Sequence, residues 1–227
     1  MSTELTGQAK RRPRKLGWRF VLIGLIAVVL VSGLIRALWV EVYYIPSESM
    51  EPLFIAGDRV AVSRMDSGIE SLQRGDVVVF DGRGSFDPLN SGRGPVTDLF
   101  QGVGQFLGLV GSDTVYVKRI LGMPGDRVSC CDASGRLVVN SQAVDEPYLY
   151  AGNESGAEAS QVAFDVLVPQ GKLWLLGDHR SLSADSRSLL GAPGGGLVSA
   201  SKVIGRPIQI LWPLDRAGAV PRTPVGP

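Results

Sequence analysis

The sequence predicts an all-β protein: an antiparallel β-rich catalytic core with a small β cap, preceded by one N-terminal transmembrane helix. Three observations predict it. A stretch from Phe20 to Ile35 carries no charge. After residue 40 helical periodicity is weak, while short β-branched runs recur between turns. Gly-Asp pairs stand at Gly57-Asp58, Gly75-Asp76, Gly125-Asp126 and Gly177-Asp178, and the first three lead straight into RVAV, VVVF and RVSC. Glycine supplies unusual backbone angles there and aspartate caps its own turn.

Composition sets the outer bounds. A chain of 227 residues with 44% hydrophobic content can bury a core. Gly 29 and Pro 14 imply many turns, but they follow no collagen-like period. A net charge of +1 argues against a nucleic-acid protein held by bulk charge. Two cysteines and one histidine, with no CxxC or HExxH spacing, leave no zinc chemistry, and no P-loop pattern exists. No cofactor and no metal are expected.

The first element is the anchor, residues 18–40. As a helix it is about 34 Å long at roughly 1.5 Å per residue, enough for a hydrocarbon core of about 30 Å. Trp18 and Trp39 fit the two interfaces, and Arg36 can snorkel outward. Residues 1–17 form a basic tail. Lys10, Arg11, Arg12, Arg14 and Lys15 there, with Arg19 just beyond, face Glu4 alone. The positive-inside rule keeps this tail in the cytoplasm and sends the rest out, across the plasma membrane. A cleaved signal peptide also starts basic and apolar. Here Arg36 interrupts the stretch before any cleavage site, and no clean A-x-A follows.

The outer body follows in order. Strands are expected at 59–62, 77–80, 115–121, 127–130, 136–139, 162–168, 172–176 and 203–211. A helix is an option only near 99–109. A catalytic core is expected over 41–128 and 174–215, with the cap, 129–173, inserted between. Residues 81–112 read as a long Gly-rich loop, whose apolar piece 99–111 is too short to span a bilayer. The last residues, 216–227, hold three prolines and are expected to be disordered. Arg74-Gly75-Asp76 spells an adhesion tripeptide, but a turn before VVVF accounts for it. Asn153-Glu154-Ser155 fits a glycosylation acceptor, a pattern common by chance. Cys130 and Cys131 are adjacent, and their pairing stays open between two thiols and a labile disulfide.

Three clusters carry the chemistry: Ile45-Pro46-Ser47-Glu48-Ser49-Met50-Glu51-Pro52, then Tyr116-Val117-Lys118-Arg119 running to Gly125-Asp126, then Gly177-Asp178-His179-Arg180-Ser181-Leu182-Ser183-Ala184-Asp185-Ser186-Arg187. Singly, each is ordinary. Serine-rich loops are common, and a strand lysine usually points to solvent.

Together, in this order and behind this anchor, they resemble the bacterial type I signal peptidases, in the single-pass Gram-positive arrangement. The family's marks are P-S-x-S-M-x-P, V-K-R followed by G-x-P-G-D, and G-D-N-R-x-x-S-x-D-S-R. The resemblance covers residues 18 to about 213. It implies Ser49 as nucleophile and Lys118 as general base. It implies Ser47 as a hydroxyl joining the Ser49 N–H in the oxyanion hole, and Ser183 as the group that orients the lysine. Asp185, Arg187 and Arg119 match charged supporting residues. Ile45, Pro46, Met50, Tyr116 and Val117 match walls of the substrate cleft. The implied partners are the lipid bilayer and preprotein signal peptides with small residues, usually alanine, one and three positions before the cut. No nucleic acid is implied.

The sequence departs from the pattern at His179, where Asn is usual, at Glu48, where Gly is common, and at Leu53, where Thr often stands. The chemistry agrees with the rest. A serine hydroxyl needs a base to attack an amide, and Ser-Lys pairs are a known variant of the serine triad. A lysine at its ordinary pKa of about 10.4 is almost wholly protonated at pH 7. Lys118 must therefore be buried and its pKa lowered. The competing readings are a hydrolase using Ser49 with His179, a self-cleaving repressor-type protease, and a non-enzymatic surface module. The second lacks a DNA-binding helical domain here. The third predicts no effect of Ser49 on peptide hydrolysis.

Overall fold

The computed structural model describes residues 17–87, 114–151 and 159–226, the side chains of 34–38 excepted. Residues 1–16 of the basic tail, 88–112 of the long loop and the Asn153 acceptor lie outside the described residues.

The chain forms two compact units, Met1–Leu38 and Trp39–Pro227. The first holds helix α1, Trp18–Leu38. It has no proline and no acidic residue, and its apolar side chains are exposed: Phe20 is 70% and Leu30 67% accessible. Among the described residues no helix is long and apolar enough to cross a membrane. The helix stops at Leu38, short of the expected Val40. Val40 instead opens a strand, β1 (Val40–Tyr44), whose β-branched and aromatic residues VEVYY favour extended backbone.

The second unit is antiparallel β throughout its named strand pairs. Its remaining strands are β2 (Arg59–Ser63), β3 (Val77–Asp81), β4 (Val115–Gly122), β5 (Arg127–Cys130), β6 (Leu137–Val139), β7 (Gln142–Ala143), β8 (Phe164–Leu167), β9 (Lys172–Leu176), β10 (Val198–Ser199), β11 (Val203–Trp212) and β12 (Gly218–Ala219). The larger sheet runs β1-β2-β11-β3-β4-β9-β10, with β12 added on β11. The smaller sheet runs β7-β6-β5-β8 and belongs to the segment between the second and third motifs. The Gly-Asp turns do as their chemistry requires. Gly57, Gly75 and Gly125 have φ of 103°, 93° and 90°, and Asp76 and Asp126 accept the N–H groups of Gln73 and Met123. Cys130 and Cys131, whose pairing the sequence leaves open, are joined to each other.

Three apolar clusters fill the unit. One surrounds Trp174, Leu121 and Leu137 beneath the smaller sheet. A second gathers Ile45, Met50, Phe54, Val62, Val79 and Ile210. A third gathers Val78, Phe80, Ile120 and Leu175. The second pins the segment after β1 against the large sheet and so fixes where Ser49 sits.

The C-terminal segment is not disordered through residue 226. Ala219 pairs with Gln209, and Val225 is 5% exposed and donates its N–H to the Arg74 carbonyl. Arg216 pairs with the fully buried Asp58 at 3.0 Å, and Arg222 with Asp76 at 3.4 Å. The prolines suit an extended strap, and its two valines and two arginines give it something to bind.

Candidate active site

The segment 45–52 is held at both ends. Ile45 donates to the Asp58 carbonyl and accepts from Gly57, each at 2.9 Å. The Glu51 N–H closes a turn onto the Glu48 carbonyl at 3.1 Å, and Phe54 N–H reaches Met50 at 3.0 Å. Ile45 and Met50 are buried at 3% and 1% exposure. With both sunk, Pro46 and Ser47 face outward and Ser49 lies between, buried but for 8% of its surface.

Lys118 sits in mid-β4, paired with Val78 on β3. It is 3% exposed, and its Nζ donates to Ser49 Oγ at 2.6 Å. Among the described residues its side-chain hydrogen bond goes to a hydroxyl and not to a carboxylate. Burial pushes its pKa down to about 8. Asp185 and Asp178 pull the other way through space, and Arg187 offsets part of that pull. Ser47 Oγ lies 3.3 Å from Ser49 Oγ.

The third motif closes over both. The His179 N–H donates to the Ser49 carbonyl at 3.2 Å. Gly177 has no room for a side chain: a Cβ there would stand 2.6 Å from the Ser49 carbonyl and would run into Ser183. Asp185 accepts from the Gly177 N–H at 3.0 Å and from Arg187 Nε and Nη2 at 2.8 and 2.7 Å. Burial raises the Asp185 carboxyl, but Arg187 and that N–H outweigh it and hold the pKa below the ordinary value. Ser186 ties the loop to the sheet, taking the Leu175 N–H and donating to the Gly196 carbonyl.

Most of the expected residues converge. Ser47, Ser49 and Lys118 meet directly, and Asp185 and Arg187 form a buried pair beside them. Ile45, Met50 and Val117 share one apolar cluster. Tyr116 does not join it. Its ring packs with Phe86 at 5.2 Å and Phe80 at 5.9 Å, and its hydroxyl donates to Asp87 at 2.8 Å. Neighbouring strand residues point to opposite faces, which separates Tyr116 from Val117. Ser183 Oγ is buried and forms no well-aligned hydrogen bond among the described residues, but it lies near enough to the Asp185 carboxylate to help hold its pKa down. His179 Nδ1 faces Glu51 at 3.8 Å and makes no hydrogen bond, to Ser49 or to any other described residue.

Several supporting pairings carry no local signal in the sequence, although Arg119 itself is an expected support. Arg119 forks onto Asp178 at 2.8 and 2.6 Å, gives Nη1 to the Gly75 carbonyl, and lies 3.9 Å over the Tyr148 ring. Arg180 pairs with Glu146, both nearly fully buried. Tyr148 and Glu146 come from the segment between the motifs, so only the fold brings them in. Among the described residues no three His, Cys, Asp or Glu side chains gather as a metal site.

Comparison with known proteins places the chain in a family. The family model described as signal peptidase, peptidase S26, matches residues 17–212. The chain is 32% identical to a probable signal peptidase I of Mycobacterium leprae, over 94% of this chain and 82% of that protein. It is 34% identical to a signal peptidase I of Mycobacterium tuberculosis, covering 88% and 74%, and 33% identical to one of Bacillus licheniformis, covering 84% and 87%. With its motifs folded into one buried site and its length matched nearly end to end, the chain belongs to the signal peptidase I enzymes of the peptidase S26 family.

Proposed function

We propose that this chain is a membrane-anchored serine endopeptidase that uses a Ser49/Lys118 dyad to cut signal peptides from exported preproteins at the outer face of the cytoplasmic membrane. The observation that carries it is the 2.6 Å contact between the Lys118 amine and the Ser49 hydroxyl, with the lysine buried and its pKa brought down to about 8.

The steps follow from that contact. The neutral amine takes the Ser49 proton as Oγ attacks the scissile carbonyl. The Ser49 N–H and the Ser47 hydroxyl donate to the resulting oxyanion. The ammonium of Lys118 then protonates the departing amine, leaving an acyl group on Ser49. Lys118, neutral again, draws a proton from water as that water attacks the ester, and the proton returns to Ser49 as the acid leaves. Ser183 offers its buried hydroxyl oxygen to the lysine in its charged stage. The Asp185–Arg187 pair cancels much of its own field, which keeps the ammonium from being over-stabilised.

The anchor is α1, Trp18–Leu38, with 1–17 in the cytoplasm. Its support is the sequence and the exposed apolar surface of α1. The core is residues 41–128 and 174–215, and the cap 129–173. The partners are the bilayer and the apolar signal segment of a preprotein. A Ser49/His179 hydrolase finds no support in the geometry, because among the described residues Ser49 Oγ is met by Lys118 Nζ and Ser47 Oγ and by no atom of the His179 ring. The test is cleavage of a preprotein with alanine one and three residues before the cut. Ser49→Ala and Lys118→Ala are each expected to abolish it.

A further inference from the structure

His179 takes no part in these proton transfers, yet it meets the nucleophile's turn at two points and stacks on Tyr150 beside it. Its N–H holds the Ser49 carbonyl at 3.2 Å. Its ring, only 7% exposed with its residue, stacks on Tyr150 with centroids 4.1 Å apart and planes 23° from parallel. Its Nδ1 faces Glu51 Oε2 at 3.8 Å, beyond hydrogen-bond reach, and has no other polar partner among the described residues. Glu51 is the residue whose N–H closes the turn on Glu48, with Ser49 inside it.

Any residue but proline can supply the main-chain bond at this position. The ring is what is particular to it. It lies between Tyr150, from the segment joining β7 to β8 of the smaller sheet, and Glu51, from the nucleophile's turn. Aromatic stacking favours a fixed plane, and a fixed plane here holds the turn from behind.

We propose that His179 is a positioning residue whose ring, stacked on Tyr150 and set against Glu51, keeps the Glu48–Glu51 turn in place and so holds Ser49 Oγ at Lys118. The role rests on the reading of Ser49 as nucleophile. It makes no demand on the imidazole as a base, so an aromatic ring without nitrogen serves.

The experiment uses the full chain in detergent and a fluorogenic peptide with alanine one and three residues before the cut. Small misplacements of a nucleophile are costly, so His179→Ala and Tyr150→Ala are each expected to lower kcat about tenfold with KM unchanged. The double variant is expected to be no worse than either single one, because both remove the same stack. His179→Phe is expected to stay within about threefold of wild type, since it keeps the stack. Wild-type kcat in both alanine variants, losses that multiply in the double variant, a rise in KM alone, or an inactive His179→Phe each overturns the proposal. If circular dichroism shows His179→Ala to be unfolded, His179→Phe and Tyr150→Ala decide by the same criteria. Ser49→Ala runs alongside. Cleavage by Ser49→Ala would sink the site itself, whereas an inactive Ser49→Ala beside wild-type-like ring variants would sink only the positioning role.

Discussion

Lys118 Nζ donates to Ser49 Oγ across 2.6 Å, joining a strand in the middle of the large sheet to a turn 69 residues earlier in the chain. The pairing needs no charged partner for the lysine. It needs a dry pocket, and the walls of that pocket come from all three motifs.

A lysine whose pKa is lowered by burial makes activity depend on pH in one direction. The neutral amine is the working form, so kcat/KM should rise with pH and level off above about 8, the value to which burial brings it. A pH–rate profile of peptide cleavage checks this. An acid limb centred near pH 6 would point to a histidine base instead.

The same burial costs stability. The folded pKa, about 8, lies below the unfolded one, 10.5. Between those values the unfolded chain binds more protons, so this group's contribution to stability rises as pH climbs from 8 to 10.5. Below 8 the full penalty applies. Lys118→Met should therefore be inactive yet more stable than wild type at pH 7, by about 3 kcal/mol. The gain should shrink toward pH 10.5. Denaturant melts at both pH values read it, and a Lys118→Met variant weaker at pH 7 would contradict the account.

Asp185 is fully buried and kept charged by Arg187, whose Nη2 stands 2.7 Å away. Arg187→Met strands that carboxylate, and breaking a buried pair in this way costs about 3–5 kcal/mol. Chemical denaturation is the measurement. A loss of stability within error of zero would show that the pair matters little to the fold.

Gly177 is pressed between the Ser49 carbonyl and Ser183. Gly177→Ala should leave the sheets folded but push the nucleophile's turn off its lysine, lowering kcat about 100-fold. Circular dichroism paired with cleavage assays separates the two effects. Normal activity would mean the turn has slack that these distances deny.

The residues of the proposed dyad could be picked out because each motif is local: a Ser-x-Ser turn, a Val-Lys-Arg strand, a Gly-Asp loop. The strands with β-branched runs, such as RVAV and VVVF, were legible for the same reason. β1 was hidden because Val40 continues the apolar stretch of the helix, and only its pairing with Ser63 marks it as strand. The C-terminal strap was hidden because prolines conceal a segment whose order comes from Asp58, Asp76 and Arg74, all far upstream. Arg180–Glu146 and Arg119–Tyr148 join distant segments as well, so no spacing rule finds them. Tyr116 carries the family's pattern, yet the fold sets it among Phe80 and Phe86.

The most direct test sets wild type, Lys118→Ala and His179→Phe side by side on one preprotein with alanine one and three residues before the cut, in detergent at pH 8. The account predicts no cleavage by Lys118→Ala and near-normal cleavage by His179→Phe. Cleavage by Lys118→Ala together with an inactive His179→Phe would contradict it and make the histidine the base.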